Sequence, residues 1–195
     1  ATVWFLTSNQ GKLDEAAHHF SEVGMEVRAL SLGSDVVVEP QAEDLETVAR
    51  AKIEQALRHL PEGETTVMVE DAGLFIDALG GFPGVYSSYV HDTIGNLGIV
   101  RLLHHLTSED PVRAKRLRAA SFQAVAALWD GHQLILGKGV CRGSIASDVQ
   151  GENGFGYDPI FIPADLDEDG ASLDPETLGV VSTHGRTFGS VDVSE

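Results

Sequence analysis

Val69-Glu70-Asp71-Ala72-Gly73-Leu74-Phe75-Ile76-Asp77-Ala78-Leu79-Gly80-Gly81-Phe82-Pro83-Gly84-Val85-Tyr86-Ser87-Ser88-Tyr89 is the stretch whose reading decides the fold. The β-rich run Thr66 to Val69 predicts a strand that ends at the acidic pair Glu70-Asp71. Gly80-Gly81-Phe82-Pro83-Gly84 cannot continue regular structure, so the carboxylates are expected at a sheet edge beside a tight turn. Hard oxygen donors of this kind suit Mg²⁺, with Mn²⁺ as a substitute. The same composition also fits a solvated strand end.

Outward from that centre, the chain of 195 residues fits one ordinary domain or two intimate lobes, and 43% hydrophobic residues suffice for a substantial core. A single cysteine, Cys141, excludes an intrachain disulfide framework and a multi-Cys zinc site. It reads as a buried structural thiol in a reducing cytoplasm. The short run Ala1-Thr2-Val3-Trp4-Phe5-Leu6 lacks the basic flank of a signal peptide, and no apolar run reaches membrane-spanning length. A cytoplasmic protein without a membrane partner is expected. Thirty acidic residues stand against 13 basic ones, for a net charge of −17, a field that repels nucleic acid. A saline cytoplasm and an ordinary acidic protein both accommodate that balance. A single nucleotide remains compatible with it, because a divalent ion and a few local cations neutralise one triphosphate.

Thr2 to Leu6 predicts a strand and Asp14 to Val23 a helix, joined by Thr7-Ser8-Asn9-Gln10-Gly11-Lys12. Backbone N–H groups and a Lys at a helix N-terminus form a phosphate-site geometry, although any strand-to-helix turn favours Ser, Asn and Gly. Val27 to Leu30 predicts a second strand. A helix follows from about Leu45 to Leu60, with Asp44 as its N-cap. Val90 to Ile99 is expected to lead into an amphipathic helix ending at Leu106. The basic run Arg113, Lys115, Arg116 and Arg118 reads as a solvated loop before a strand. Ala119 to Trp129, Asp130-Gly131 and Gln133 to Val140 predict a β-hairpin, which implies a mixed rather than an all-parallel sheet. In Gly151-Glu152-Asn153-Gly154-Phe155-Gly156-Tyr157-Asp158-Pro159-Ile160-Phe161, the glycines permit close approach of a flat ligand and the aromatics offer stacking surface. A β-turn with core aromatics is the competing reading.

Four motifs resemble the inosine triphosphate pyrophosphatase family in its archaeal form. The central stretch is similar to E-D-[ST]-G-L-x-x-x-A-L-G-G-x-P-G-x-Y-S, departing only at Ala72, where a hydroxyl near the nucleotide is absent. Thr7, Asn9 and Lys12 match T-x-N-x-x-K, Glu39-x-Gln41 resembles P-E-x-Q, and Gly154 to Phe161 matches G-F-G-[YW]-D-P-x-F throughout. The resemblance implies a mixed α/β fold: an elongated mixed sheet flanked by helices, two lobes of one domain spanning residues 1–195, and a central nucleotide cleft. It implies hydrolysis of dITP, ITP and XTP to the monophosphate and pyrophosphate, and a homodimer contacting through Phe82 and Tyr86 to Val90.

Carried over residue by residue, the resemblance assigns catalysis to Asp71, Glu70 and Lys12, and Mg²⁺ binding to Glu39, Glu70 and Asp71. Thr7, Ser8, Asn9, Gln10, Gly11 and Lys12 would hold the phosphates. Ala72, Phe155, Gly156, Tyr157 and Asp158 would meet the nucleoside, with Phe155 stacked on the purine. The likeness frays at the C-terminus, where the family has E-K-N-x-x-S-H-R-x-[KR]-A. Without gaps, Leu178 stands at its Lys, Thr183 at its His and His184 at its Arg. A one-residue slip restores His184 but leaves Gly185 at the Arg, so His184 and Arg186 are the candidates to read the purine 6-position. Two rivals are a Maf-like pyrophosphatase acting on modified pyrimidine nucleotides and a degenerate nucleotide-binding sensor without turnover.

Overall fold

The computed structural model describes residues 2–32, 38 and 40–191. Among them six strands form one sheet in the order β2-β1-β3-β4-β5-β6, accompanied by five α-helices. The strands are β1 (Thr2–Phe5), β2 (Glu26–Ala29), β3 (Val67–Ile76), β4 (Ala119–Trp129), β5 (Leu134–Ile145) and β6 (Phe161–Pro163). The helices are α1 (Gln10–Glu22), α2 (Leu45–Leu57), α3 (Ser87–Thr93), α4 (Gly95–Leu102) and α5 (Pro111–Leu117). β1 pairs in parallel with both β2 and β3, whereas β5 and β6 are antiparallel. The sheet is therefore mixed, as the hairpin predicted. No helix among the described residues is long and apolar enough to cross a membrane.

The chain divides into two compact units. One comprises residues 1–72 and 124–139, the other residues 73–123 and 140–195, and β3, β4 and β5 each contribute to both. In the first unit, Val3, Phe5 and Met68 are buried against Leu13, Ala16 and Phe20 of α1. The Asn9 carboxamide caps α1 by accepting from the Lys12 N–H at 3.2 Å. Asp44 caps α2 as expected, its carboxylate accepting from the Thr47 N–H at 2.8 Å. In the second unit, Leu74, Ile76, Ile99, Leu103, Ile160 and Phe161 build the core. Buried Arg118 pins it by donating to the carbonyls of Leu103, Ile145 and Ala146.

Four expectations are corrected. β3 does not end at Glu70-Asp71 but continues to Ile76, because Gly73, Leu74 and Ile76 are buried and renew the apolar pattern beyond the acids. Gly73 serves close packing there, since a Cβ would collide with the Gly84 carbonyl. The basic run is not a loop: Asp110 caps α5, Pro111 opens it, and Arg118 is buried just beyond its end. The expected helix through Leu106 is instead two short ones, α3 and α4, with Gly95 at φ +63° where the second begins. β5 also extends past the expected Val140 to Ile145.

Candidate active site

The Leu6 N–H donates to the Met68 carbonyl at 3.0 Å, so the turn after β1 emerges beside the middle of β3. Within that turn Thr7 Oγ1 accepts from the Asn9 N–H at 3.1 Å, and Asn9 in turn caps α1. Thr7 and Asn9 thus fix the turn's shape. The first N–H groups of the helix, at Gln10 and Gly11, have no intrahelical acceptor and carry the positive end of its dipole. Ser8 is exposed beside them, and the Gln10 side chain lies along the helix, donating to Asp14 at 2.7 Å. Such an end, at the carboxyl terminus of a parallel strand, is suited to anions.

Lys12 leaves the first turn of α1 and meets Glu70, its ammonium 3.1 Å from one carboxylate oxygen and 3.5 Å from the Glu70 carbonyl. Successive strand residues project to opposite faces. Asp71 accordingly has a different partner, Lys52 of α2, in a short contact between side chains only 14% exposed each. That contact uses Asp71 Oδ1. Asp71 Oδ2 is buried and has no hydrogen-bond partner. A buried carboxylate oxygen left unpaired is costly, and a cation or a water proton is what would relieve it.

That orphaned oxygen is the feature that fits a divalent ion. Glu70 is the nearest acid in sequence, though here it is engaged by Lys12. The third expected ligand, Glu39, lies outside the described residues. Among the described residues no group of three or more His, Cys, Asp or Glu side chains is placed to hold a metal.

Lys52 was missed by the sequence reading, and a signal for it existed. On α2 it lies three residues after buried Ala49 and four before buried Ala56, so it shares the inward face. A Lys on such a face requires a carboxylate partner, and Asp71 supplies it.

The Phe155 to Asp158 segment belongs to the second unit. Phe155 is 53% exposed, so its ring is not part of the core. Tyr157 is the opposite: only 5% exposed, its hydroxyl donates to the Ser87 carbonyl at 2.7 Å, and burial raises its pKa to about 12. It is an anchor for the segment rather than a ligand-facing surface. Asp158 accepts from the Phe155 N–H at 2.8 Å, and Gly156 supplies a positive φ of +59°.

Ser182 to Arg186 form a tight exposed turn. His184 stands at φ +54°, its N–H donating to Ser182 Oγ at 2.9 Å, while Arg186 Nε donates to the Thr183 carbonyl at 3.1 Å. Asp165 holds the turn from outside, accepting from the Ser182 hydroxyl at 2.7 Å and the Gly179 N–H at 3.1 Å. Thr187 and Phe188 then tie the segment to the core, Thr187 by donating to the Gln150 carbonyl at 2.7 Å and Phe188 by stacking on Phe161.

Comparison with known proteins gives a consistent likeness. A model described as the Ham1 family matches residues 3–191. A dITP/XTP pyrophosphatase of Thermococcus kodakarensis is 39% identical over 184 residues, covering 94% of this chain and 91% of the relative. One from Methanopyrus kandleri is 41% identical over 175 residues, covering 89% and 85%. Among solved structures, a Ham1 protein from Staphylococcus aureus superposes with a TM-score of 0.71 at 28% identity, covering 100% of this chain and 88% of that one. A HAM1 protein from Coxiella burnetii gives a TM-score of 0.71 at 25% identity, covering 99% and 88%.

Proposed function

Because the chain belongs to the Ham1 family, we propose that it hydrolyses the non-standard purine nucleoside triphosphates dITP, ITP and XTP to monophosphate and pyrophosphate. The observation that carries this reading is the buried, unpartnered Asp71 Oδ2 on the strand that also presents Glu70 to Lys12 beside the α1 N-terminus. We place this activity in the cleansing of the nucleotide pool of the cytoplasm. The matching family favours this over a pyrimidine-specific Maf-like hydrolase, and a carboxylate prepared for proton transfer favours turnover over sensing.

The reaction is attack of water on the α-phosphorus: a new P–O bond forms, the bond to the bridging α–β oxygen breaks, and pyrophosphate leaves. Lys12 and the free N–H groups of α1 bind the phosphate oxygens, with Thr7, Ser8, Asn9, Gln10 and Gly11 shaping the turn. Lys52 fixes the Asp71 carboxylate through Oδ1, which leaves Oδ2 to accept the proton of the attacking water. Asp71 and Glu39 are the residues that would hold Mg²⁺, or Mn²⁺ in its place, while Glu70, projecting from the opposite face of β3, stays with Lys12. When bound, the ion neutralises phosphate charge and makes a coordinated water more acidic. Phe155 stacks on the purine, Gly156 and Asp158 set its platform, Tyr157 anchors that platform, and Ala72 leaves room without a hydroxyl. His184 and Arg186 direct donors to the 6-oxo oxygen, which ATP lacks.

The working form is a homodimer. An apolar depression lined by Phe82, Tyr86, Tyr89, Val90, Thr93 and Ile94 supports it, with Tyr89 71% exposed. Sedimentation equilibrium should give twice the chain mass, and a Tyr89→Glu variant the single mass.

The deciding assay measures orthophosphate by malachite green after coupling to inorganic pyrophosphatase. Release from dITP, ITP and XTP in the presence of Mg²⁺ should far exceed release from ATP, and EDTA should abolish it. Equal rates with ATP would remove the substrate assignment, and no turnover of any triphosphate would remove the enzyme assignment.

A further inference from the structure

We infer that Asn96 is a positioning residue that sets the Phe155 platform through the Gly156 carbonyl, and so governs affinity for the purine. The inference rests on the base-stacking reading of Phe155 given above. The platform is intrinsically soft: Gly154 at φ +73° and Gly156 at φ +59° bracket Phe155, and glycine loses more freedom on ordering than any other residue. Its internal bonds, Phe155 N–H to the Asp158 carboxylate and Asp158 N–H to the Phe155 carbonyl, close the turn.

Two tethers fasten it to the helices. Tyr157 holds the far side by donating to the Ser87 carbonyl of α3 at 2.7 Å. Asn96, in the first turn of α4, donates Nδ2–H to the Gly156 carbonyl at 2.9 Å, one residue from the exposed ring. The other end of the same carboxamide, Oδ1, is shut off from solvent and has no partner. Burying an acceptor unpaired is unfavourable, so the polar contribution of this side chain comes down to the bond it makes to Gly156. An apolar residue at position 96 would avoid the orphaned oxygen but would release the loop beside Phe155. Holding an exposed aromatic rigid before the ligand arrives lowers the ordering cost of binding.

The test is a double-mutant cycle with Asn96→Ala and Phe155→Ala, following dITP hydrolysis. Asn96→Ala should raise KM about five-fold with kcat nearly unchanged, the pattern of lost ground-state binding. In the Phe155→Ala background it should add nothing, because the ring it positions is gone. Asn96→Asp keeps the size but turns a second acceptor toward the Gly156 carbonyl, and should raise KM at least as much. It replaces Asn96→Ala should that variant fail to fold. An unchanged KM, or the same rise in both backgrounds, would overturn the inference. If the unaltered protein turns over no triphosphate, the stacking reading fails separately. The tether is then judged by amide hydrogen exchange, which should accelerate at Phe155 and Asp158 in either Asn96 variant and which, if unaltered, disproves it.

Discussion

The lysine–carboxylate group of the first unit and the Ser182–Arg186 turn of the second are built in opposite ways. Lys12 and Glu70 are 58 residues apart in the chain, and Lys52 and Asp71 are 19 apart, yet each pair meets with side chains about one-fifth exposed or less. The turn, by contrast, is closed chiefly by bonds within five residues, Thr183 Oγ1 donating to the Arg186 carbonyl at 2.8 Å and Arg186 Nε returning to the Thr183 carbonyl, with Asp165 as its one brace from farther along the chain among the bonds described. His184 and Arg186 are both exposed to solvent. A group held by sheet and two helices has little freedom to relax, so a change there acts on the chemical step. An exposed local turn yields, and a change there shifts preference between substrates by a modest factor.

The largest effect should therefore come from Asp71→Asn, which keeps the size of the side chain but removes the proton acceptor. The expected loss in kcat is about 10³-fold, within the range for removing a general base, with circular dichroism unchanged. A loss of under about ten-fold would move the base elsewhere. Lys52→Met should follow, at about 10²-fold in kcat, since it frees the Asp71 carboxylate to turn away from its productive geometry. A stopped-flow single-turnover experiment separates this from slow product release.

Phe155→Ala comes next. Loss of a base–aromatic stack of about 1–3 kcal/mol predicts a KM for dITP raised about ten-fold or more, with smaller change in kcat. The smallest effects should be those of His184→Ala and Arg186→Ala, each lowering the preference for dITP over ATP by about five-fold, the worth of one ordinary hydrogen bond. Measured as a ratio of kcat/KM values, a change above about 10²-fold at either position would mean that the turn is as rigid a reader as the buried group, and the contrast drawn above would fail.

How far each region could be read from sequence follows the same division. The Asp44 cap and the strand-to-helix turn at Thr7 were legible, because capping and turn preferences act over three or four residues. α5 carried a local signal in Asp110 and Pro111, but the four basic residues there gave it the look of a solvated loop, and the helix was missed. The course of β3 was obscured by Glu70-Asp71, which look like a strand end until their partners are known. Those partners lie on α1 and α2, and only the inward spacing of Lys52 hinted at one of them. The tether from Asn96 to Gly156 joins residues 60 apart with no local signature at either end. Tyr157 was recognisable as an aromatic but not as an anchor, since its role depends on the Ser87 carbonyl it reaches.

The central claim is water attack at the α-phosphorus of a non-standard purine triphosphate, prepared by Asp71. Turnover of dITP in ¹⁸O-enriched water, with both products weighed by mass spectrometry, tests it most directly. The account predicts dIMP carrying one ¹⁸O atom and unlabelled pyrophosphate. Label in the pyrophosphate, or dIDP and orthophosphate as products, would contradict it.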